Sequence, residues 1–146
     1  MVLRNGEIFL ILKVVIMENI FKLRYFHKQT NKIYDVCFID FDCPCVSLFL
    51  SKEELLHIGK RDFKSEYLMQ CTGIGDIETN SIYEGDILKV TYTRPDGKVI
   101  KRKCVVEYNR GAFWINYGYG ASYLYNDDCT YEIIGNVFQD KDLLNE

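Results

Sequence analysis

Proline, alanine, histidine and tryptophan are all scarce in this chain. Its 146 residues include two prolines, Pro44 and Pro95, two alanines, Ala112 and Ala121, two histidines and one tryptophan. Alanine is the strongest helix former, so its near absence argues against a helical protein. The only histidines are His27 and His57, and neither sits in a recognisable nucleophile motif. Ser–His and Cys–His machinery therefore has little to draw on. No C-x-x-C pair occurs. Gly73-Ile74-Gly75 is not followed by Gly-Lys-Ser/Thr or a helix start, so it is not a phosphate loop. No apolar run approaches the roughly 20 residues of a membrane span. The longest, Ile8–Ile16, is interrupted by Lys13, and no small-residue cleavage site follows. Positive charge is not in excess either. The formal charge is -3, which disfavours a protein that coats duplex DNA non-specifically.

What is abundant points to strands. Aromatics make up 14% of the chain, with 11 tyrosines and 9 phenylalanines, and such residues fit pleated, half-buried surfaces. The apolar fraction of 48% is that of an ordinary globular chain, so wholesale disorder is excluded. A chain of this length buries enough surface to need no disulfides. Six cysteines are present, and with no secretory signal they read as reduced thiols of a cytoplasmic protein.

Along the chain, Phe21–His27 alternates apolar and basic residues, and Ile33–Ile39 answers it after a polar turn, which predicts a hairpin. Val46–Leu50 is a short strand. Ser51-Lys52-Glu53-Glu54 has the form of a capping box, and Gly59 supplies a stop, so one short helix is predicted over Ser51–Ile58. Tyr67–Cys71 reads as a strand, and Thr72–Ser81 as a polar loop. Arg94-Pro95-Asp96-Gly97 and Asn109-Arg110-Gly111 are turn signals between Ile87–Thr93, Val99–Tyr108 and Ala112–Tyr117. Tyr123–Tyr125 and Tyr131–Phe138 complete a meander. The predicted fold is mainly β, a small barrel or sandwich of antiparallel strands with one short helix. Two readings of the first residues stand: positions 8–16 form an extra strand, or residues 1–16 are an extension and the domain starts at Met17. A soft internal boundary is expected near residues 59–65.

Three segments resemble one family. They are Tyr67–Ile74 with Ile82–Val90, the closing Tyr131-Glu132-Ile133-Ile134-Gly135-Asn136-Val137-Phe138 with Leu143-Leu144, and the opening Lys22–Lys28 with Lys32-Ile33-Tyr34. Taken in chain order, with Val106–Phe113 before the closing one, they resemble the YopX family of phage and prophage proteins. The resemblance runs from about Met17 to Leu144. The chain departs from the family pattern at Cys71, where tyrosine is usual, and at Gly75–Ser81. The resemblance implies a mainly β protein of uncharacterised role and brings no catalytic residues with it.

Each chemical constellation has a plain structural reading beside the functional one. Cys43-Pro44-Cys45, with Cys37 and His57, has the ligand types of a zinc site, but no second pair completes it, and no metal is expected. Asp40 and Asp42 would share a face if extended, and they read better as a solvated loop than as an acid–base pair. Cys104 alternates with Val106 and Tyr108, as a buried cysteine does. The sharpest electrostatic feature is Arg94–Lys103, which sets Arg94, Lys98, Lys101, Arg102 and Lys103 against Asp96 alone. Lysines also blunt exposed hairpin edges, so the run has a purely protective reading. Downstream, Phe113–Tyr125 is nearly half aromatic, and strand alternation forbids placing all of it in one core.

The candidate binding surface is therefore Arg94, Lys98, Lys101, Arg102, Lys103, Trp114, Tyr117 and Tyr119. The expected function is that of a non-enzymatic phage or prophage accessory protein in the host cytoplasm, without cofactor, catalytic residue or membrane association. It would act through contacts with a second copy of itself or with a host or phage protein. The alternative is a single-stranded nucleic-acid-binding module that uses the basic hairpin and tyrosines, which the net charge disfavours.

Overall fold

The computed structural model describes residues 22–124 and 128–145. The two readings of residues 1–16 lie outside the described residues. The described chain contains eleven strands and two 3-10 turns, Ser65–Tyr67 and Lys141–Leu144. The mainly β expectation holds. No helix among the described residues is long and apolar enough to cross a membrane.

The chain divides into two compact units. Among the described residues, the first comprises 22–25 together with Tyr34–Gln70, and the second comprises Phe26–Ile33 with 71–124 and 128–145. The first unit holds β3 (Cys45–Phe49) and β4 (Leu55–Ile58) whole, with the larger part of β1 (Leu23–His27) and β2 (Lys32–Asp40) and the first residues of β5 (Leu68–Gly75). The strand order is β4-β3-β2-β1-β5. Its core is Tyr25, Val46, Leu48 and Ile58. The Tyr25 ring stacks on Phe63 with centroids 5.8 Å apart, and its hydroxyl accepts a hydrogen bond from the Lys64 backbone N–H at 2.9 Å. Burial raises the Tyr25 pKa, against the lowering effect of that bond.

The predicted helix at Ser51–Ile58 is corrected: residues 55–58 are strand β4, paired with β3. Half of the capping geometry is nonetheless present, because Ser51 Oγ accepts from the Glu54 N–H at 3.2 Å. Instead of opening a helix, this bond tightens a hairpin turn in which the N–H groups of Leu50 and Ser51 donate to Glu54 O. Leu55-Leu56-His57-Ile58 is too short to repay helix nucleation. Pairing with β3 places Leu56 and Ile58 opposite Leu48 and Val46 in the core. Asp40 is also a turn former, since its Oδ1 accepts from the N–H groups of Asp42 and Cys43 at 2.9 and 3.1 Å.

The second unit holds β6 (Ser81–Tyr83), β7 (Asp86–Thr93), β8 (Val99–Asn109), β9 (Ala112–Asn116), β10 (Ala121–Tyr123) and β11 (Cys129–Asn136). Its main sheet runs β10-β9-β8-β7-β11. The predicted Thr72–Ser81 loop is shorter than expected, because β5 continues to Gly75 and pairs with β6. The β7–β8 turn is closed by Gly97 N–H donating to Arg94 O at 2.8 Å, with Gly97 at φ +81°. The β8–β9 turn places Arg110 and Gly111 at φ 52° and 79°, the two consecutive positive values of a tight type I′ hairpin. The residue that follows β10 reaches β11, since Tyr131 Oη donates to Leu124 O, and the sheet packs around a core of Ile82, Leu88, Val90, Cys104, Val106, Ile115, Leu124 and Tyr131. Cys104 is 1% exposed, as its alternation predicted, and burial pushes its thiol up to about 12.

Two buried polar residues close this unit. Asp86 Oδ2 accepts from the Tyr83 N–H at 2.8 Å, and its Oδ1 accepts from Asn136 Nδ2 at 3.1 Å. Gly85 joins the same knot, with its N–H on Val106 O and its carbonyl accepting from Val137 N–H. Gly135 packs where a Cβ would lie 2.8 Å from both Asp140 Oδ2 and Leu143 Cδ1.

Candidate binding pocket and aromatic face

Strand parity decides where the hairpin cations go. β7 and β8 pair from Ile87↔Val105 to Thr93↔Val99. Lys101 opposes Thr91 and Lys103 opposes Lys89, whereas Arg102 opposes the buried Val90. Successive residues of a strand face opposite ways, so Lys101 and Lys103 lie on the outer face and Arg102 on the face that carries the core. Lys103 Nζ donates to Leu143 O at 3.1 Å, and its neighbour Lys89 pairs with Glu132 at 2.8 Å. Lys98 sits in the exposed turn, and Arg94 Nε lies 3.8 Å from Asp96 Oδ2. The five cations do not form one row.

Two of them converge elsewhere. At one end of the sheet is a pocket of about 420 Å³. It is lined by Tyr92, Thr93, Arg94 and Pro95 of the β7 end and its turn and by Arg102 on β8. Tyr117, Tyr119 and Ser122, with Asp128 and Cys129 around the start of β11, complete the lining. Arg102 is anchored within the pocket: its Nη1 donates to Tyr119 Oη, and its Cζ lies 5.2 Å from the centre of that ring. Tyr119 stacks on Tyr117 at 6.2 Å, and Tyr117 Oη lies 3.2 Å from Ser122 Oγ. The bend that allows this is at Gly118, with φ +86°. Only a residue without Cβ adopts that angle at little cost.

Burial raises the Tyr117 pKa, partly offset by its Ser122 bond, and burial together with Asp128 raises that of Cys129. Both groups therefore stay protonated at neutral pH, and the fixed charges of the pocket are Arg94, Arg102 and Asp128. Such a lining can hold an anion and stack a flat ring.

Trp114 belongs to a different surface. It opposes Glu107 on β8 and Tyr123 on β10, on the outer face of the sheet. Its ring stacks on Tyr123 with centroids 4.1 Å apart, and its Nε1 donates to Asn109 O at 2.9 Å. Tyr123 is 57% exposed and Tyr119 72% exposed. Of the eight residues singled out in the sequence, Arg94, Arg102, Tyr117 and Tyr119 come together in the pocket. Trp114, Lys101 and Lys103 share the outer face, and Lys98 stands apart. Tyr92, Ser122 and Cys129 were not singled out, although the parity of Tyr92 with Leu88 and Val90 already placed it on this side of the sheet.

No group of three or more His, Cys, Asp or Glu is placed to hold a metal ion among the described residues. His57 Nδ1 lies 3.2 Å from Ser47 Oγ, and His27 Nδ1 lies 2.9 Å from Thr30 Oγ1.

No curated protein matches the chain. A crystal structure of protein EF1440 from Enterococcus faecalis is similar, with a TM-score of 0.55 and 22% identity over 86% of this chain and 98% of that one. That likeness supports the fold. The family model described as YopX protein matches residues 22–145. This span takes in both the Tyr83–Asp86 turn and the Gly135-Asn136 strand end that the Asp86–Asn136 contact joins, and the chain belongs to the YopX protein family.

Proposed function

We propose that this chain is a non-enzymatic phage or prophage accessory protein of the host cytoplasm that works through protein–protein contacts on the outer face of β8–β10. The observation that carries this reading is the stack of half-buried Trp114 on exposed Tyr123, on the side of the sheet away from the core. Tryptophan and tyrosine dominate the energetics of protein interfaces because they bury a large area at low entropic cost. Stacking on each other holds the two rings in place before any partner arrives. The nucleic-acid alternative has less support, because its cations face two sides of the sheet and two of them are engaged by Asp96 and Leu143 O.

The partner surface is tested by light scattering of the purified chain over a range of concentrations, together with capture from phage-infected host cells. The wild-type chain is expected to self-associate or to retain a defined partner, and Trp114→Ala with Tyr123→Ala to lose that contact while staying folded. A strict monomer that captures nothing the double variant does not also capture would sink the reading.

A further inference from the structure

We propose that the pocket between the β7–β8 turn and the Tyr117–Ser122 segment binds a nucleoside monophosphate, either free or as the 5′-terminal nucleotide of a single strand. This goes beyond the protein-contact reading and uses the other side of the sheet. The volume of about 420 Å³ falls within the range of about 300–1,000 Å³ of small-molecule sites. The lining supplies the three kinds of group such a ligand needs. Arg102 spends one donor on Tyr119, which fixes the guanidinium, and its remaining N–H groups are of the kind that grip a phosphate in pairs. Tyr119 stacks on Tyr117 and has Arg102 over its ring, and the rest of this 72% exposed ring is open to contact with a base beside the guanidinium. The Ser122 hydroxyl and the Asp128 carboxylate are partners for sugar hydroxyls or exocyclic amines, which inorganic phosphate lacks.

Charge selects the number of phosphates. Arg94 and Arg102 are the cations of the lining, but Arg94 is shared with Asp96, and Asp128 adds a carboxylate to the same lining. That balance suits one phosphate better than three, because each further phosphate adds negative charge without a further cation in the lining.

Calorimetric titration of the full chain with adenosine 5′-monophosphate tests the assignment. Measurable binding is expected, at least tenfold tighter than inorganic phosphate or adenosine, and no tighter for the triphosphate. Tyr119→Ala should weaken it about 5- to 150-fold. Arg102→Ala should weaken it at least about tenfold. Tyr119→Phe should retain most of it, and Lys101→Ala on the outer face should change nothing. A 5′-phosphorylated tetranucleotide that binds tighter than its unphosphorylated form identifies a strand end as the source, and binding of the mononucleotide alone identifies a free nucleotide. Should Arg102→Ala fail to fold, the exposed Tyr119 variants still decide. No binding of either phosphorylated probe at millimolar concentration, or binding indifferent to the Tyr119→Ala substitution, overturns the proposal.

Discussion

Asn136 Nδ2 donates to Asp86 Oδ1 at 3.1 Å, across a separation of 50 residues in the chain, and both side chains are buried. The contact joins the start of β7 to the end of β11, and β-strand register alone would not fix it so firmly. Asp86 Oδ2 simultaneously accepts from the Tyr83 N–H, and Asn136 Oδ1 accepts from the Phe138 N–H at 3.0 Å. A buried polar network whose groups all find partners specifies one arrangement, because any shift leaves a polar group unpaired.

Asp86→Ala is therefore expected to be among the most damaging single substitutions. It removes the buried acceptor of the Tyr83 N–H and of Asn136 Nδ2, at about 1–3 kcal/mol for each bond lost. Urea unfolding of the variant beside the wild type gives the measurement. A loss below about 0.5 kcal/mol, the usual effect of a neutral surface change, would show that the contact is incidental.

Gly135→Ala tests the same corner from the steric side. The added Cβ would lie 2.9 Å from Asp140 Cβ as well as 2.8 Å from Asp140 Oδ2. Asp140 cannot retreat freely, because its Oδ2 accepts from the Asn136 N–H at 2.9 Å. Overpacking of this kind costs about 1–3 kcal/mol. Thermal unfolding should show a lowered midpoint, and pairing the substitution with Asp140→Ala should recover part of the steric term.

The cysteines should separate sharply in a thiol-labelling experiment. Cys37 and Cys43 are exposed, whereas Cys104 is 1% exposed with its pKa raised by burial from 9.0 to about 12. The first two should label quickly in the native protein and Cys104 only on unfolding. The raised value also carries a sign for stability. Between pH 9.0 and about 12 the unfolded chain gives up the Cys104 proton and the folded chain keeps it, so this residue's contribution is intact below that window and falls as pH rises through it. A Cys104→Ala variant should show a shallower alkaline loss of stability than the wild type.

Much of this architecture is legible from local chemistry. Arg94-Pro95-Asp96-Gly97 announces its turn because proline presets one angle and glycine accepts another, and both act over a few residues. Cys104 announces its burial because alternation with Val106 is a local pattern, although Tyr108, the next residue of that parity, is 48% exposed near the strand end. The failure at Ser51 is equally physical: the side-chain bond from Glu54 N–H to Ser51 Oγ forms as the motif predicts, but the same bond serves a hairpin turn as well as a helix start. The choice was made by Leu48 and Val46 across the sheet, which a local motif does not contain. The pocket was legible in part for the same reason. Arg102 and Tyr119 stand out by type, but their meeting depends on the Gly118 bend and on the packing of a whole sheet. Treating Arg94–Lys103 as one basic feature ignored parity, which sends Arg102 and its lysine neighbours to opposite faces.

Arg110 offers a gain rather than a loss. It holds φ 52° in the tight turn between β8 and β9, beside Gly111 at 79°. A side chain with a Cβ is strained in that region, and asparagine tolerates it better because its short amide can bond to nearby backbone. Asn-Gly is also the preferred pair for a two-residue turn whose twist matches the flanking strands. Arg110 is exposed at the tip of the hairpin and lies outside both the pocket lining and the Trp114–Tyr123 stack. Arg110→Asn should therefore raise stability by about 0.5–1 kcal/mol, in the manner of other compatible turn substitutions. Denaturant midpoints at constant slope are the readout, and Arg110→Pro provides the opposite control, since a ring locked near -65° cannot enter the turn and should destabilise it. If Arg110→Asn leaves the midpoint unmoved, the strain assigned to this turn is absorbed elsewhere in the hairpin.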